Sequence, residues 1–416
     1  MSNDRRLQAA IDALAQHGGN KTAAAKSLGM TRSSFRRLVD KGGAINSAEV
    51  SVPDIKIVGM QDEIRTLRAE LKAVQRDKIT ADNIKKDILG LRDADPDPPK
   101  WALSGNIAPG DPGIPTVFMS DDHWAEDVNL SATHGYNEYN LRVGHSRKRE
   151  LTEKAIHLPH NCIVHQKPYP GIVVCMGGDM VSGEIHEELA ETNELPQFPA
   201  ILDLRGVLIW SLDKLQEAFS NVFVVCVVGN HGRTSRKPRA KRRVETNCDW
   251  LLYQMLALHY QDKYDGAKIP DAKRPVRFLI PDDIDALFRV YDHTYMMQHG
   301  DCLGARGGDG IIGEIGPIKR GEFKVRRSSA NYGREYNTLL MGHWHHAMRL
   351  ENIMVNGSLK GVCEYAVGNR FVPEPPTQLF WFTRPDGRIV WDSPIVLDDR
   401  KPKAKAAPWV SWEGAA

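Results

Sequence analysis

Five short polar motifs, each closing an apolar run, constrain this chain more than any other feature. They are Ser120-Asp121-Asp122-His123, Gly178-Asp179, Gly229-Asn230-His231, His299-Gly300-Asp301 and Gly342-His343-Trp344-His345. The runs before them, 117–119, 172–176, 222–228, 295–297 and 339–341, are short, apolar and bounded by polar turns, which is the pattern of buried strands. Side chains at the ends of such strands sit on a rigid frame and can meet at one sheet edge. Carboxylate, imidazole and carboxamide donors together suit Mn, Fe or Zn. Taken singly, each motif has a plainer reading. Asp179 after two glycines is a common turn residue, and a lone histidine is more often a satisfied side chain than a ligand. Turn chemistry does not explain why all five clusters end strand-like runs.

The order D-x-H, G-D, G-N-H, H-G-D, G-H-x-H, over about residues 116–358, resembles the calcineurin-like metallophosphoesterase superfamily. The resemblance implies an α/β fold, a two-sheet αββα sandwich, and two divalent metal ions, Mn first with Fe or Zn as alternatives. By it, Asp121, His123, Asp179 and His345 would hold one cation. Asp179, Asn230, His299 and His343 would hold the other, with Asp179 bridging. Two cations about 3.5–4 Å apart clamp a phosphoryl group and acidify a water, and His231 would be the catalytic group that protonates the leaving oxygen. The chain departs from the pattern once: Gly232 follows His231 where the superfamily often has Asp or Glu. Asp122 is a candidate to orient His231 instead. Asp301 either orients a ligand histidine or belongs to a turn.

At 416 residues the chain has room for two or three domains. Its net charge of +2 says little about partners. The six cysteines contain no C-x-x-C pair, and several lie inside apolar runs, so reduced thiols in a reducing compartment are expected rather than a cysteine zinc site. There is no apolar leader and no run approaching 18 apolar residues, so no membrane span is expected and a cytoplasmic location is.

Before the motif-bearing region, residues 1–45 read as a small all-α module. Leu7, Ala10, Ile11 and Leu14 recur at helical spacing. A short helix over 22–28 stops at Gly29, and Thr31 caps a further helix that turns Phe35 and Leu38 inward. Helix, glycine turn, helix is the helix-turn-helix plan, and the stretch resembles the Fis-type DNA-binding module. Arg32, Ser33, Arg36 and Arg37 would lie on the outer face of the recognition helix; the plainer alternative is a protein-binding three-helix module. Residues 46–100 read as a linker with an amphipathic helix. There Ile64, Leu67, Leu71 and Val74 make two heptads, which serve either a homodimer through residues 60–76 or packing within the domain. The Pro-rich stretch 93–99 ends it. The metallophosphoesterase-like domain would span 101–398, followed by a basic tail over 399–416.

Within that domain, the segment 129–160 is expected to carry a helix over the site. His186 could approach substrate or lie on a surface helix, and the glycine-rich stretch 304–310 reads as a mobile loop. The substrate clue is the run from Arg233 to Arg243. A charge run is usually a solvated surface, but this one starts two residues after His231. Arg236, Lys237, Arg239, Lys241, Arg242 and Arg243 there would neutralise several phosphates of a polyanion. The favoured reading is therefore a metal-dependent phosphodiesterase acting on nucleic-acid backbone, a DNA nuclease resembling the DNA-repair exonuclease branch. The alternatives are a small-substrate phosphatase or cyclic-nucleotide phosphodiesterase, and a non-catalytic DNA-binding regulator.

Overall fold

The computed structural model describes residues 3–42, 98–104, 113–163, 168–303 and 315–397. The proposed 60–76 helix, most of the 93–99 boundary, the 304–310 stretch and the 399–416 tail lie outside the described residues. The chain divides into two compact units, 1–89 and 90–416.

The first unit contains helices α1 (Asn3–Gln16), α2 (Lys21–Ser27) and α3 (Arg32–Gly42). Asn20 caps α2 by accepting from the N–H groups of Thr22 and Ala23. Gly29 takes the left-handed conformation (φ 66°) that ends it. Thr31 Oγ1 accepts from Ser34 N–H at the start of α3. Ala10, Ala13, Ala24, Ala25 and Phe35 form the core, with Leu14, Met30, Leu38 and Val39 around it. Small alanines on α1 and α2 let the helices approach closely around the single large ring. Ile11, expected inside, is 43% exposed, and Ala13 takes the inward place.

In the second unit, one six-stranded sheet has the order β12-β11-β1-β2-β3-β4. Its strands are β1 (Ile114–Met119), β2 (Ile172–Met176), β3 (Val222–Cys226), β4 (Val276–Leu279), β11 (Phe380–Thr383) and β12 (Ile389–Val390). β1 to β4 run parallel, and β11 is antiparallel to β1. The second sheet has the order β5-β6-β7-β9-β8: β5 (Ala286–Val290), β6 (His293–Met297), β7 (Thr338–Met341), β8 (Met348–Leu350) and β9 (Ile353–Val355). β10 (Thr377–Gln378) and β13 (Ile395–Val396) pair separately.

The pleat sorts side chains between layers. Phe118, Val173, Cys175, Phe223 and Val225 from the first sheet share one core with Phe288, Tyr295, Met297, Leu340 and Met354 from the second. Met296, Leu339, Met341, Ile353 and Val355 face the other way and pack with Ile318 of the helix Ile315–Asn331. On the outside of the first sheet, Gln197–Phe219 packs on β3 and Cys248–Gly266 on β4. The layers are therefore helix, sheet, sheet, helix. The parallel strands β1, β2 and β3 end at one edge, as do β6 and β7, and all five motifs are the turns that leave those ends.

Candidate metal centre

The turns are tightly built. Asp121 (φ 54°), His123 (45°), Asp179 (50°), His343 (70°) and His345 (58°) all hold left-handed backbone. For residues with a Cβ this costs about 1–3 kcal/mol each and persists only where the surroundings over-determine it. The motif glycines allow the approach. A Cβ at Gly342 would come within 2.3 Å of Asp121 Oδ2, and one at Gly229 within 2.1 Å of Asp179 Oδ1.

The result is two groups of donors that meet at Asp179. Asp121, His123 and His345 bring donor atoms within 4.8 Å of one another; so do Asp179, His299 and His343; and so do His123, Asp179 and His231 between them. His123 Nε2 lies 3.1 Å from His345 Nε2, which is 3.3 Å from Asp121 Oδ1. His299 Nε2 lies 2.9 Å from Asp179 Oδ2. Asn230 Oδ1 is buried without a hydrogen-bond partner. An unpaired buried carbonyl oxygen costs about 1–3 kcal/mol, and facing imidazole nitrogens need a proton or a cation between them. This donor set fits divalent cations.

Outer contacts aim the imidazoles. His299 Nδ1–H donates to the Gly177 carbonyl at 2.8 Å, which fixes the ring with Nε2 facing Asp179. His123 Nδ1 is 3.3 Å from Glu126 Oε2, and Lys360 Nζ donates to both Glu126 oxygens at 2.9 and 3.0 Å. Burial, then Lys360 and His231, push His123 down to about 3. Burial and the neighbouring His299 take His343 down to about 4. Burial would lower His299 too, but Asp179 and Asp121 override it and raise it to about 10. Cations compete with protons for such donors.

His231 sits beside this centre. Its backbone N–H donates to Asp179 Oδ1 at 2.6 Å, and its ring is 4.4 Å from that of His123. Its orienting group is not Asp122. Asp122 is fully buried in an ion pair with Lys148 (2.5 Å), which anchors the first turn to the helix Leu141–His157. His231 Nδ1–H instead donates to the Ser182 carbonyl at 2.8 Å. Nor does Asp301 hold a histidine ring: both its oxygens accept from Arg243 Nη2, at 2.6 and 2.7 Å. His186 is exposed with its ring 5.9 Å from His231, so it does reach the mouth of the centre.

The basic run is divided in its roles. Arg243, expected to meet phosphate, is largely buried and committed to Asp301. Arg233 folds back on the carbonyls of Asn230, Ser235 and Arg236. Arg236 pairs with Glu187 at 2.8 Å on the surface. Lys237, Arg239, Lys241 and Arg242 are exposed. In the first unit, Arg32, Ser33, Arg36 and Arg37 are exposed on α3, and Arg36 lies 3.6 Å from Asp40.

Sequence reading missed Asp249, Glu126 and Lys360. Glu126 had one faint signal, its i+3 spacing from His123. Asp249 and Lys360 had none, because the helix start and the chain turn that deliver them are far away in sequence.

Residues 11–41 match the family model described as bacterial regulatory protein, Fis family. No curated protein matches the chain. Among solved structures it is similar to a Vps29 single mutant (D62A) from Entamoeba histolytica, at 9% identity, covering 68% of this chain and 100% of that one with a TM-score of 0.28. It is also similar to a conserved uncharacterized protein, a predicted phosphoesterase, from Streptococcus pneumoniae TIGR4: 11% identity, 70% and 99% coverage, TM-score 0.25. A third is the Thermus thermophilus sulfate thiohydrolase SoxB in complex with glycerol: 10% identity, 70% and 58% coverage, TM-score 0.27. Overlaps this loose carry no argument by themselves. The strand order, the face-to-face sheets and the five donor-bearing turns give the second unit a helix-sheet-sheet-helix sandwich with its donor groups gathered at one edge. Within the first unit, the match to the Fis-family model spans the C-terminal part of α1, all of α2 and nearly all of α3. No helix among the described residues is long and apolar enough to cross a membrane.

Proposed function

We propose that this protein is a divalent-metal-dependent phosphodiesterase that cleaves nucleic-acid backbone, with DNA as the substrate and the helix-turn-helix module as a DNA-locating element. The observation that supports it most is the meeting of two donor groups at one carboxylate, Asp179. Asp121, His123, Asp179 and His345 would hold one cation and Asp179, Asn230, His299 and His343 the other. Mn suits the mixed O and N donors, as do Fe and Zn. When bound, two such cations neutralise phosphoryl oxygens and activate a water at neutral pH.

The chain's own residues do the rest. Asp179 uses one oxygen toward His299 and the other toward the His231 N–H, so it ties the donor group to the acid. His231 is locked through Nδ1–H, which leaves Nε2 to carry the proton for the leaving oxygen. Burial lowers its pKa while Asp179 opposes the drop. An anionic phosphate alongside would further favour the imidazolium.

Lys237, Arg239, Lys241 and Arg242 supply the free positive charge that favours a polyanion. One observation favours the alternative, a small-substrate phosphatase or cyclic-nucleotide phosphodiesterase: Arg233, Arg236 and Arg243 are already engaged by the chain itself. A non-catalytic DNA-binding regulator would not need the complete donor set. Metal-loaded protein assayed against duplex DNA, single strands, RNA and small phosphodiesters separates the three. Cleavage of DNA well above small diesters is expected. Turnover of small esters alone would establish the alternative, and no turnover at all would sink both.

A further inference from the structure

Asp249 lies outside all five motifs, yet its buried carboxylate holds the two turns that carry Asp179, Asn230 and His231. Oδ2 accepts from the N–H groups of Asp179 and Gly229, each at 2.9 Å, and Oδ1 accepts from Met180 N–H at 3.2 Å. Asn247 works beside it. Its Nδ2 donates to the Gly229 carbonyl at 2.8 Å, and its Oδ1 accepts from Asp249 N–H at 2.8 Å, capping the helix Cys248–Gly266. The first turn of a helix favours an anion, and the N–H groups of Asp179, Met180 and Gly229 all point at this one. Both side chains are buried.

The same pair accounts for Gly232. A Cβ there would come within 2.3 Å of Asn247 Oδ1 and 3.1 Å of Asp249 Cγ. The position after His231 has no room for a carboxylate because the helix cap fills the space.

We propose that Asn247 and Asp249 are positioning residues for the centre. They lock the Asp179 turn to the Asn230–His231 turn and so set the distance between the bridging carboxylate, the carboxamide and the acid. Neither touches substrate. The inference rests on the two-metal reading above for its functional consequence, but the mechanical link between the turns exists without metal.

The test uses the full chain with Asp249→Ala, Asp249→Asn and Asn247→Ser. Asn at 249 keeps one oxygen for Asp179 and Gly229 but turns an NH₂ toward Met180 N–H. Ser at 247 keeps the helix cap but loses the bond to the Gly229 carbonyl. Titration with Mn²⁺ should show affinity for at least one cation falling about 10-fold in Asp249→Asn and up to about 100-fold in Asp249→Ala, the range for outer-contact residues. On a small chromogenic diester kcat should fall while KM holds. In metal-free protein, amide exchange should quicken at Asp179, Met180 and Gly229 while β1 and β3 stay protected. Asn247→Ser, the mildest change, keeps the test valid if substitution at 249 prevents folding. Folded variants with wild-type Mn²⁺ affinity, kcat and exchange at those amides would overturn the proposal. Wild-type protein that binds fewer than two cations, with exchange still quickened in the variants, would sink the two-metal reading and leave the link between the turns standing.

Discussion

The donor-bearing turns and the basic run 233–243, which follows one of them directly in the chain, are built oppositely. The turns are buried and strained, with Asp121, His123 and Asp179 almost wholly shielded from solvent. Each donor is aimed by another group: Gly177 for His299, Glu126 and Lys360 for His123, Asp249 for the Asp179 turn. In the basic run, Arg233 and Arg243 serve the fold, and Lys237, Arg239, Lys241 and Arg242 stand in solvent. Strained backbone persists only where the surroundings over-determine it, and the donor turns are held in that way by buried partners. On the proposed reading, the exposed charges would act on a polyanionic substrate through a long-range field, which tolerates loose placement.

That contrast can be broken most sharply at Asp179. Asp179→Asn should lose bound metal and reduce hydrolysis of every substrate to background while the fold persists; a folded variant with normal metal content and turnover would refute the bridging role. His231→Ala should keep its metal but lose roughly 10²–10⁴-fold in rate, the range for a general acid. The loss should be smaller for a nitrophenolate leaving group, which needs no proton, and an equal loss on both substrate types would count against the acid role. Neutralising Lys237, Arg239, Lys241 and Arg242 should slow DNA cleavage, spare a small diester, and flatten the salt dependence by about 0.9 in log–log slope per lost phosphate contact. Arg243→Gln belongs with the turns instead: losing its charged hydrogen bonds to Asp301 should cost about 1.5–3 kcal/mol of stability, read as a lower Tm, with little further change in the salt slope. The smallest effect on chemistry should come from deleting residues 1–50, which should weaken DNA binding and leave small-diester turnover unchanged. A truncated protein that binds DNA as tightly as the full chain would remove the locating role of α3.

The same contrast explains what was legible in the sequence. The five strands before the motifs stood out because a buried strand is a short apolar run and its end is marked by glycine and a polar residue. The donors stood out because their spacing is local: Asp121 with His123, His343 with His345. β4, β5 and β8 carry mixed burial and no such signature. The groups that aim the donors were hidden because they arrive from elsewhere in the chain. Lys360 comes from beyond β9 and Asp249 from a helix start, and neither spacing nor composition marks them. Asp122 and Asp301 misled because a carboxylate beside a histidine in sequence need not face it: Lys148 and Arg243 claim them instead.

The central claim is that two cations share Asp179. Anomalous diffraction from crystals of the full chain grown with Mn²⁺ tests it without reference to any substrate. Two peaks about 3.5–4 Å apart are expected, one against Asp121, His123 and His345, the other against Asn230, His299 and His343, with Asp179 between them. A single peak, or peaks away from Asp179, would contradict it.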